Sequence, residues 1–318
     1  MKILAVGLAV VASVLSFIQP ALAFPLTVQH KQGTTTVEQA PQRVAVFDLA
    51  TLDTMNALGV SAAGVPDTFM PQYLSHYSGD DVTKIGDLFK PDYDALKQLQ
   101  PDLIIVAGRS SRAYEELSKL APTLDLSIDA GHFVQGMQHN LALLGTLFNQ
   151  QEKAQQLSVE FNNKLHSLHA QAAKQGPALV LFTINGHVML HAPGERFGML
   201  YDLTGLKSVV PAVEAAEPKP RAKPGSEEAK QQQAERQQRL DAALAENPSW
   251  LFVLDRGAAT GGEGKAVETL SAMDKITATT AWQKEQVYYL NPKEWYLALG
   301  GYQSVVKTLN DLSSRFEQ

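Results

Sequence analysis

Apolar residues come in three rhythms along this chain, and each rhythm predicts a different kind of element. The first is continuous. Residues 3–18 are apolar or small without a break, Lys2 precedes them, Gln19-Pro20 ends them, and Ala21-Leu22-Ala23 follows. A run of 16 residues is short for a membrane span, and its flanks are those of an export signal, with cleavage expected after Ala23. No later stretch is long enough to cross a bilayer. The second rhythm is a set of short apolar runs bounded by Pro, Gly or Asp. Residues 43–48, 103–106, 179–182 and 251–254 read as buried parallel strands, and 26–28 with 34–37 read as a hairpin about Lys31-Gln32-Gly33. The third has steps of three and four: Leu141, Leu144, Leu147, Phe148, Leu157, Phe161, Leu165 and Leu168, in a stretch free of proline. It predicts one long helix over 132–175, kinked near Asn149. About 35 helical residues reach some 50 Å, and such a connection limits hinge opening to small angles.

The strands sit in a repeated frame. Asp94-Ala95, Pro101, an apolar strand and Arg109 return as Asp241-Ala242, Pro248, an apolar strand and Arg256, at an offset of 147 residues. Gly59 and Pro66 return as Gly205 and Pro211 at offsets of 146 and 145, and Pro41 with its strand returns as Pro177 at 136. An offset this constant predicts two homologous α/β lobes, 24–131 and 176–318, on either side of the linking helix. Residues 214–239 stand apart. Pro218, Pro220 and Pro224 lead into a Gln/Glu/Lys/Arg run with almost nothing apolar, which predicts a mobile loop and then a solvated helix.

Composition narrows the chemistry. The 318 residues carry 27 Lys+Arg against 33 Asp+Glu, a formal charge of −6; removing the signal takes away Lys2 alone and leaves −7 over 295 residues. A mild negative charge argues against a nucleic-acid partner. The absence of cysteine excludes disulfides, iron–sulfur clusters, thiolate zinc, a cysteine nucleophile and the lipid anchor of exported bacterial proteins. A soluble protein free in a Gram-negative periplasm is the expectation. GxSxG, GxxxxGK[ST] and HExxH are absent, and Ser304-Val305-Val306-Lys307 matches SxxK without its companion motifs. His187 and His191, four apart in a hairpin, are expected on one solvent-exposed strand face. What remains is cationic and aromatic. Arg109 and Arg256 stand just past the C-terminal ends of matching strands, where α/β sheets bind ligands. Arg196 sits in the glycine-bounded turn 193–198, and Trp295-Tyr296 follows a strand at 287–290 as an aromatic wall. Three converging guanidiniums select a bulky anion by charge-assisted hydrogen bonds and stacking.

Several segments together resemble a known family. They are Met1 to Ala23, Val28-Gln29-His30, the stretch from Val37 through Pro41-Gln42-Arg43-Val44-Ala45-Val46-Phe47-Asp48, Pro101-Asp102-Leu103-Ile104-Ile105 to Gly108-Arg109-Ser110-Ser111, Gly194-Glu195-Arg196-Phe197-Gly198, Phe252-Val253-Leu254-Asp255-Arg256, and Tyr289-Leu290-Asn291-Pro292-Lys293-Glu294-Trp295-Tyr296. The chain is similar to periplasmic siderophore-binding proteins of iron ABC importers, in the catecholate subgroup that takes enterobactin, petrobactin or anguibactin. The resemblance implies an α/β fold of two Rossmann-like lobes joined by a long backbone helix, the class III periplasmic binding protein fold. It further implies a monomer without enzymatic activity or resident cofactor, whose ligand is a ferric siderophore. Arg109, Arg196 and Arg256 match the arginine triad that holds the ferric catecholate. Tyr296 matches the tyrosine that ligates iron when a siderophore leaves coordination sites open. The histidine that accompanies it in such members has no counterpart, since no histidine follows His191 and 214–239 stands in its place. A fully coordinated ferric siderophore is therefore expected. Asp94 and Asp241 match the acids that dock on arginines of the inner-membrane ABC permease. Partnering of a helix N-terminal dipole is an equal account of both acids. A haem, corrinoid or metal-ion carrier of the same fold is the alternative ligand class, and an exported α/β hydrolase using His187 or His191 as base is the remote one.

Overall fold

The computed structural model describes residues 24–213 and 222–317, so the expected export signal and residues 214–221 of the charged insertion lie outside the described residues. A hairpin of β1 (Leu26–His30) and β2 (Gly33–Val37) opens the fold, as its turn predicts. The first large sheet is parallel. It contains β3 (Val44–Val46), β4 (Gly64–Val65), β5 (Thr83–Lys84), β6 (Leu103–Val106) and β7 (Thr123–Asp125), in the order β5-β4-β3-β6-β7. The second contains β8 (Ala178–Ile184), β9 (His187–His191), β10 (Trp250–Asp255) and β11 (Val287–Tyr289), in the order β11-β10-β8-β9. The helices include α1 (Leu49–Leu58), α2 (Tyr93–Leu99), α3 (Phe133–Leu147), α4 (Gln151–Ala172), α5 (Met199–Thr204), α6 (Glu227–Ala245) and α7 (Tyr302–Phe316).

The duplication is visible in the topology. β8, β10 and β11 take the places of β3, β6 and β7, parallel in both sheets. Even the backbone repeats: Gly59 at φ 78° closes α1 and Gly205 at φ 74° closes α5, a left-handed cap that glycine adopts without a Cβ penalty. Gln100 at φ 49° and Asn247 at φ 51° turn the chain in the same way before Pro101 and Pro248. The sheets part at one edge. Where β4 runs parallel to β3, β9 returns antiparallel along β8, and a single parallel bridge from Ala178 to Ser208 marks the place of the missing neighbour.

The connection between the sheets corrects the expected single helix. Asn149 takes φ 55°, and α4 folds back on α3, with Gln138 Nε2 donating to Asn162 Oδ1 at 2.7 Å. A three-and-four periodicity holds equally for one straight helix and for two folded together. Folding back lets both apolar stripes share one core, and Leu141, Leu144, Leu157 and Phe161 are all buried in it. The linking helix is thus α4, 22 residues and about 33 Å long. The same core takes in Val44 and Ile105 of the first sheet, Val180 and Phe252 of the second, and Leu309 and Leu312 of α7. The charged segment does form a helix: α6 starts at the Ser226 cap and buries Leu240, Ala243 and Leu244.

A polar tie joins the C-terminal helix to the first lobe. Asp53 of α1 is fully buried and accepts the N–H groups of Gln303 at 2.6 Å and Ser304 at 3.0 Å and the hydroxyl of Tyr73 at 2.5 Å. Thr54 Oγ1 accepts the N–H of Tyr302 at 3.2 Å. The unpaired donors of α7's first turn are therefore met by α1, some 250 residues away in the chain. Gly301 leaves the room this needs, since a Cβ there would stand 2.4 Å from the Asp53 carboxyl carbon. Burial pushes the Asp53 pKa up to about 7, against the pull of Tyr73 and the two amides. Asp53→Ala strands three donors in the interior and is expected to cost about 3 kcal/mol of unfolding free energy, read as a lower urea midpoint. An unchanged midpoint would show that the tie carries no stability.

Candidate functional site: a cationic cleft around Tyr296

Arg109 leaves the chain three residues past β6 and Arg256 directly past β10, at equivalent strand ends. Asp255 caps the helical turn that Arg256 opens, accepting the Gly257 N–H at 2.8 Å and the Ala266 N–H at 2.7 Å. Arg196 comes from the turn between β9 and α5, anchored by Phe197, which is buried and stacked on Phe182 at 5.3 Å. Tyr296 lies in the π-helical turn Lys293–Leu297. The guanidiniums of Arg109, Arg196 and Arg256 stand 4.9, 5.5 and 5.9 Å from the centre of its ring. Arg109 also donates to the Tyr296 carbonyl, and Arg256 Nε donates to the phenol oxygen at 3.1 Å.

The charge here is uncompensated. Among the described residues, none of these three arginines has a carboxylate within 4.0 Å. Burial alone would raise the pKa of the Tyr296 phenol. The Arg256 hydrogen bond and the charges of Arg256, Arg109 and Arg196 outweigh burial, and the phenol falls below the ordinary tyrosine range. Arg196 opens to solvent at the cleft yet has protein on most sides, and that enclosure, followed by the like charge of Arg109, lowers its own pKa. It stays charged, as a guanidinium does in proteins.

Arg109, Arg196 and Tyr296 line a cavity of about 630 Å³, a volume suited to a small-molecule ligand. Arg256 reaches the phenol from behind and is not on the cavity wall. Asp48, the N-cap of α1, is the single acidic side chain among the described residues lining it. Among the wall residues that the sequence reading did not single out are Arg112 and Phe89, with the Arg112 guanidinium 5.6 Å over the Phe89 ring. The three-residue step from Arg109 into a helical turn was the available sign of Arg112; Phe89, in an irregular loop, left none.

Other expected site residues fall elsewhere. Trp295 is core, not cleft wall: it is 2% exposed and its Nε1 donates to Thr308 Oγ1 at 2.9 Å. Neighbouring positions of a helical turn diverge, and Tyr296 alone faces the cavity. His187 is exposed, but His191 is enclosed edge-on by Phe197 at 5.0 Å and Phe182 at 5.9 Å. Burial drives the His191 pKa down to about 4; Glu195 opposes the shift, and Arg196 and Arg239 reinforce it. Asp94 occupies the first turn of α2, exposed and 3.3 Å from Lys97. Asp241 sits near the C-terminal end of α6 instead of at a helix start. Lys275 at 2.6 Å and Gln237 at 2.8 Å hold its carboxyl below the usual range. Among the described residues no group of three or more His, Asp or Glu is placed to hold a metal ion.

Two α/β sheets bridged by a backbone helix, with a cleft lined from both, make the architecture of class III periplasmic binding proteins. The chain belongs to the periplasmic binding protein family Peripla_BP_2, whose model matches residues 44–294. It is 28% identical to the petrobactin-binding protein YclQ of Bacillus subtilis, over 92% of this chain and 89% of that protein. The crystal structure of YclQ superposes with a TM-score of 0.80 at 27% identity, over 92% of this chain and 99% of that one. The ferric-anguibactin-binding protein FatB of Vibrio anguillarum is 29% identical over 94% of this chain and 90% of its own length. The periplasmic catecholate-siderophore binding protein VctP of Vibrio cholerae superposes with a TM-score of 0.77 at 26% identity, over 91% and 99% of the two chains.

In an alkaline titration followed by phenolate absorbance, comparison with Tyr296→Phe is expected to isolate a tyrosine that ionises below the ordinary range. Arg256→Gln moves that ionisation upward; a Tyr296 indifferent to Arg256 would contradict the electrostatics above. His191 gives the second check. Unfolded, it takes a proton near 6.5, and folded not until about 4, so its contribution is complete above pH 6.5 and is lost as pH falls toward 4. The wild-type protein is expected to lose about 1.4 kcal/mol per pH unit in that window relative to His191→Phe. Parallel stability curves for the two proteins would refute this.

Proposed function

We propose that this protein captures a ferric catecholate siderophore in the periplasm and delivers it, chemically unchanged, to an inner-membrane ABC permease. The observation that carries the reading is the set of three guanidiniums around Tyr296, none paired with a carboxylate among the described residues, two of which line a cavity of about 630 Å³ while Arg256 acts through the Tyr296 phenol. A catecholate complex of ferric iron offers what such a site recognises: anionic oxygens spread over its outside and flat rings on which guanidiniums stack. The names of YclQ, FatB and VctP support the same ligand class. The iron is cargo, held by the siderophore's oxygens. Where a siderophore leaves a coordination site open, Tyr296 is the donor we assign, because its lowered pKa favours the phenolate that such a bond needs.

In this reading residues 24–131 and 176–318 are the two lobes, and removal of residues 1–23 leaves an unlipidated monomer free in the periplasm. Docking on the permease uses Asp94, 87% exposed, and Asp241, which must exchange Lys275 for a permease arginine. The test is a titration of intrinsic fluorescence against ferric tris-catecholates and ferric hydroxamates. Trp295, beside Tyr296, serves as reporter. Quenching is expected with the catecholates alone, and Arg109→Ala/Arg256→Ala is expected to weaken it about a hundredfold or more. Full affinity in that double variant would sink the site assignment. A porphyrin or corrin absorption band in the protein as purified would replace the ligand class.

A further inference from the structure

Helix α6 is solvated over most of its length, yet Arg239 turns inward. Its Nη1 lies 2.7 Å from Glu195 Oε1, with the two side chains 40% and 28% exposed. Glu195 immediately precedes Arg196, the third guanidinium of the cleft. Its second oxygen accepts the Ala192 N–H at 2.8 Å, and the backbone closes the same turn through Glu195 N–H to Ala192 at 3.0 Å and Gly198 N–H to Glu195 at 2.8 Å. This turn has no slack: a Cβ on Gly194 would stand 2.0 Å from the Val213 carbonyl oxygen, and one on Gly198 1.8 Å from that of Ala192. A carboxylate is therefore fixed beside Arg196, and also beside His191, whose Nδ1 is 3.8 Å away. Arg109 has no acid beside it in the chain, since Gly108 and Ser110 flank it; the carboxylate that acts on it is Asp48, which is held by the Thr51 N–H and hydroxyl at 2.8 and 3.0 Å. Arg256 follows Asp255, but that carboxylate is occupied by the N–H groups of Gly257, Ala258 and Ala266.

We propose that Arg239 is a positioning residue for the anion site: by engaging Glu195 it keeps that carboxylate from Arg196 and leaves the Arg196 guanidinium free for the ligand. The inference rests on the cleft being an anion site, as argued above. It also gives a role to the charged helix, which has no counterpart of its length in the first lobe. Without Arg239, Glu195 keeps only the His191 imidazole at 3.8 Å and becomes free to turn to the guanidinium of the next residue; that pairing would neutralise one of three charges and draw the guanidinium off Tyr296.

The test measures affinity for a ferric tris-catecholate by fluorescence quenching. Arg239→Gln is expected to weaken binding about tenfold, equivalent to about 1.4 kcal/mol. Arg239→Lys restores most of the loss. Glu195→Gln/Arg239→Gln returns affinity close to the wild-type value, because no carboxylate remains to compete. A purely structural role predicts the reverse, a double variant at least as weak as Arg239→Gln, and that result would overturn the proposal. The pKa of the His191 imidazole, followed by NMR, gives an independent reading. Glu195, Arg196 and Arg239 are the charged groups that act on it, and Arg239→Gln is expected to raise it from about 4. A value that does not move would show that Arg239 is not seated against Glu195 and His191, and would overturn the proposal. Arg196→Ala separates the two levels. If it leaves affinity unaltered, the anion-site reading itself fails; if it weakens binding while Arg239→Gln does not, the role of Arg239 alone fails.

Discussion

Mutual repulsion among Arg109, Arg196 and Arg256 is the constraint around which the molecule is arranged. The charge of Arg109 lowers the pKa of Arg196, and two like charges about 10 Å apart repel by about 1.7 kcal/mol at an effective dielectric near 20. The ring of Tyr296 offsets part of this, at about 0.5–1 kcal/mol for each guanidinium over its face. The remainder falls on the scaffold. Each arginine is accordingly mounted on a stiff support: a strand end for Arg109, a capped turn for Arg256, and a glycine-tight turn anchored by Phe197 for Arg196. An anion entering such a cleft would meet donors that are already placed and whose repulsion it relieves, which is how preorganisation becomes affinity.

That arrangement requires the two sheets to keep their separation. α4 joins them along the chain, and α7 returns beside it, with Tyr302 donating to the Leu157 carbonyl at 3.0 Å and Lys164 to Asn310 at 2.8 Å. Asp53 then fastens the start of α7 to α1. The lobes are held by two packed helices and one continuous apolar core, not by a flexible strand pair. Packed helices slide by small amounts and do not swing open, so a shear of the cleft is the motion this architecture favours.

The repeat was legible because the distance from a helix cap through a proline turn to a strand end is set by backbone geometry, which survives when side chains change. That is why Arg109 and Arg256 emerged from spacing alone. Legibility failed where a second element decides. His187 and His191 share a strand face, but Phe182 and Phe197 enclose only the latter. Trp295 and Tyr296 are adjacent letters that the π-turn sends to core and cleft. Asn149 reads as a kink until its positive φ is known. Asp241 keeps its place in the repeat, but α6 is long enough to move it from a helix start to a helix end.

The two lobes also differ in how they treat acids near the cleft. Asp255 is needed to cap the turn of Arg256, and Glu195 is needed to close the turn of Arg196, so structural demands put carboxylates beside two of the three cations. Each is engaged elsewhere, the first by backbone N–H groups and the second by Arg239, and Asp48 is the one acid among the described residues that lines the cavity itself. Acids farther than about 8–10 Å from the cleft are screened by salt. A chain with a formal charge of −6 therefore presents a positive cleft. Its sign is set not by net composition but by which carboxylates have been given other partners.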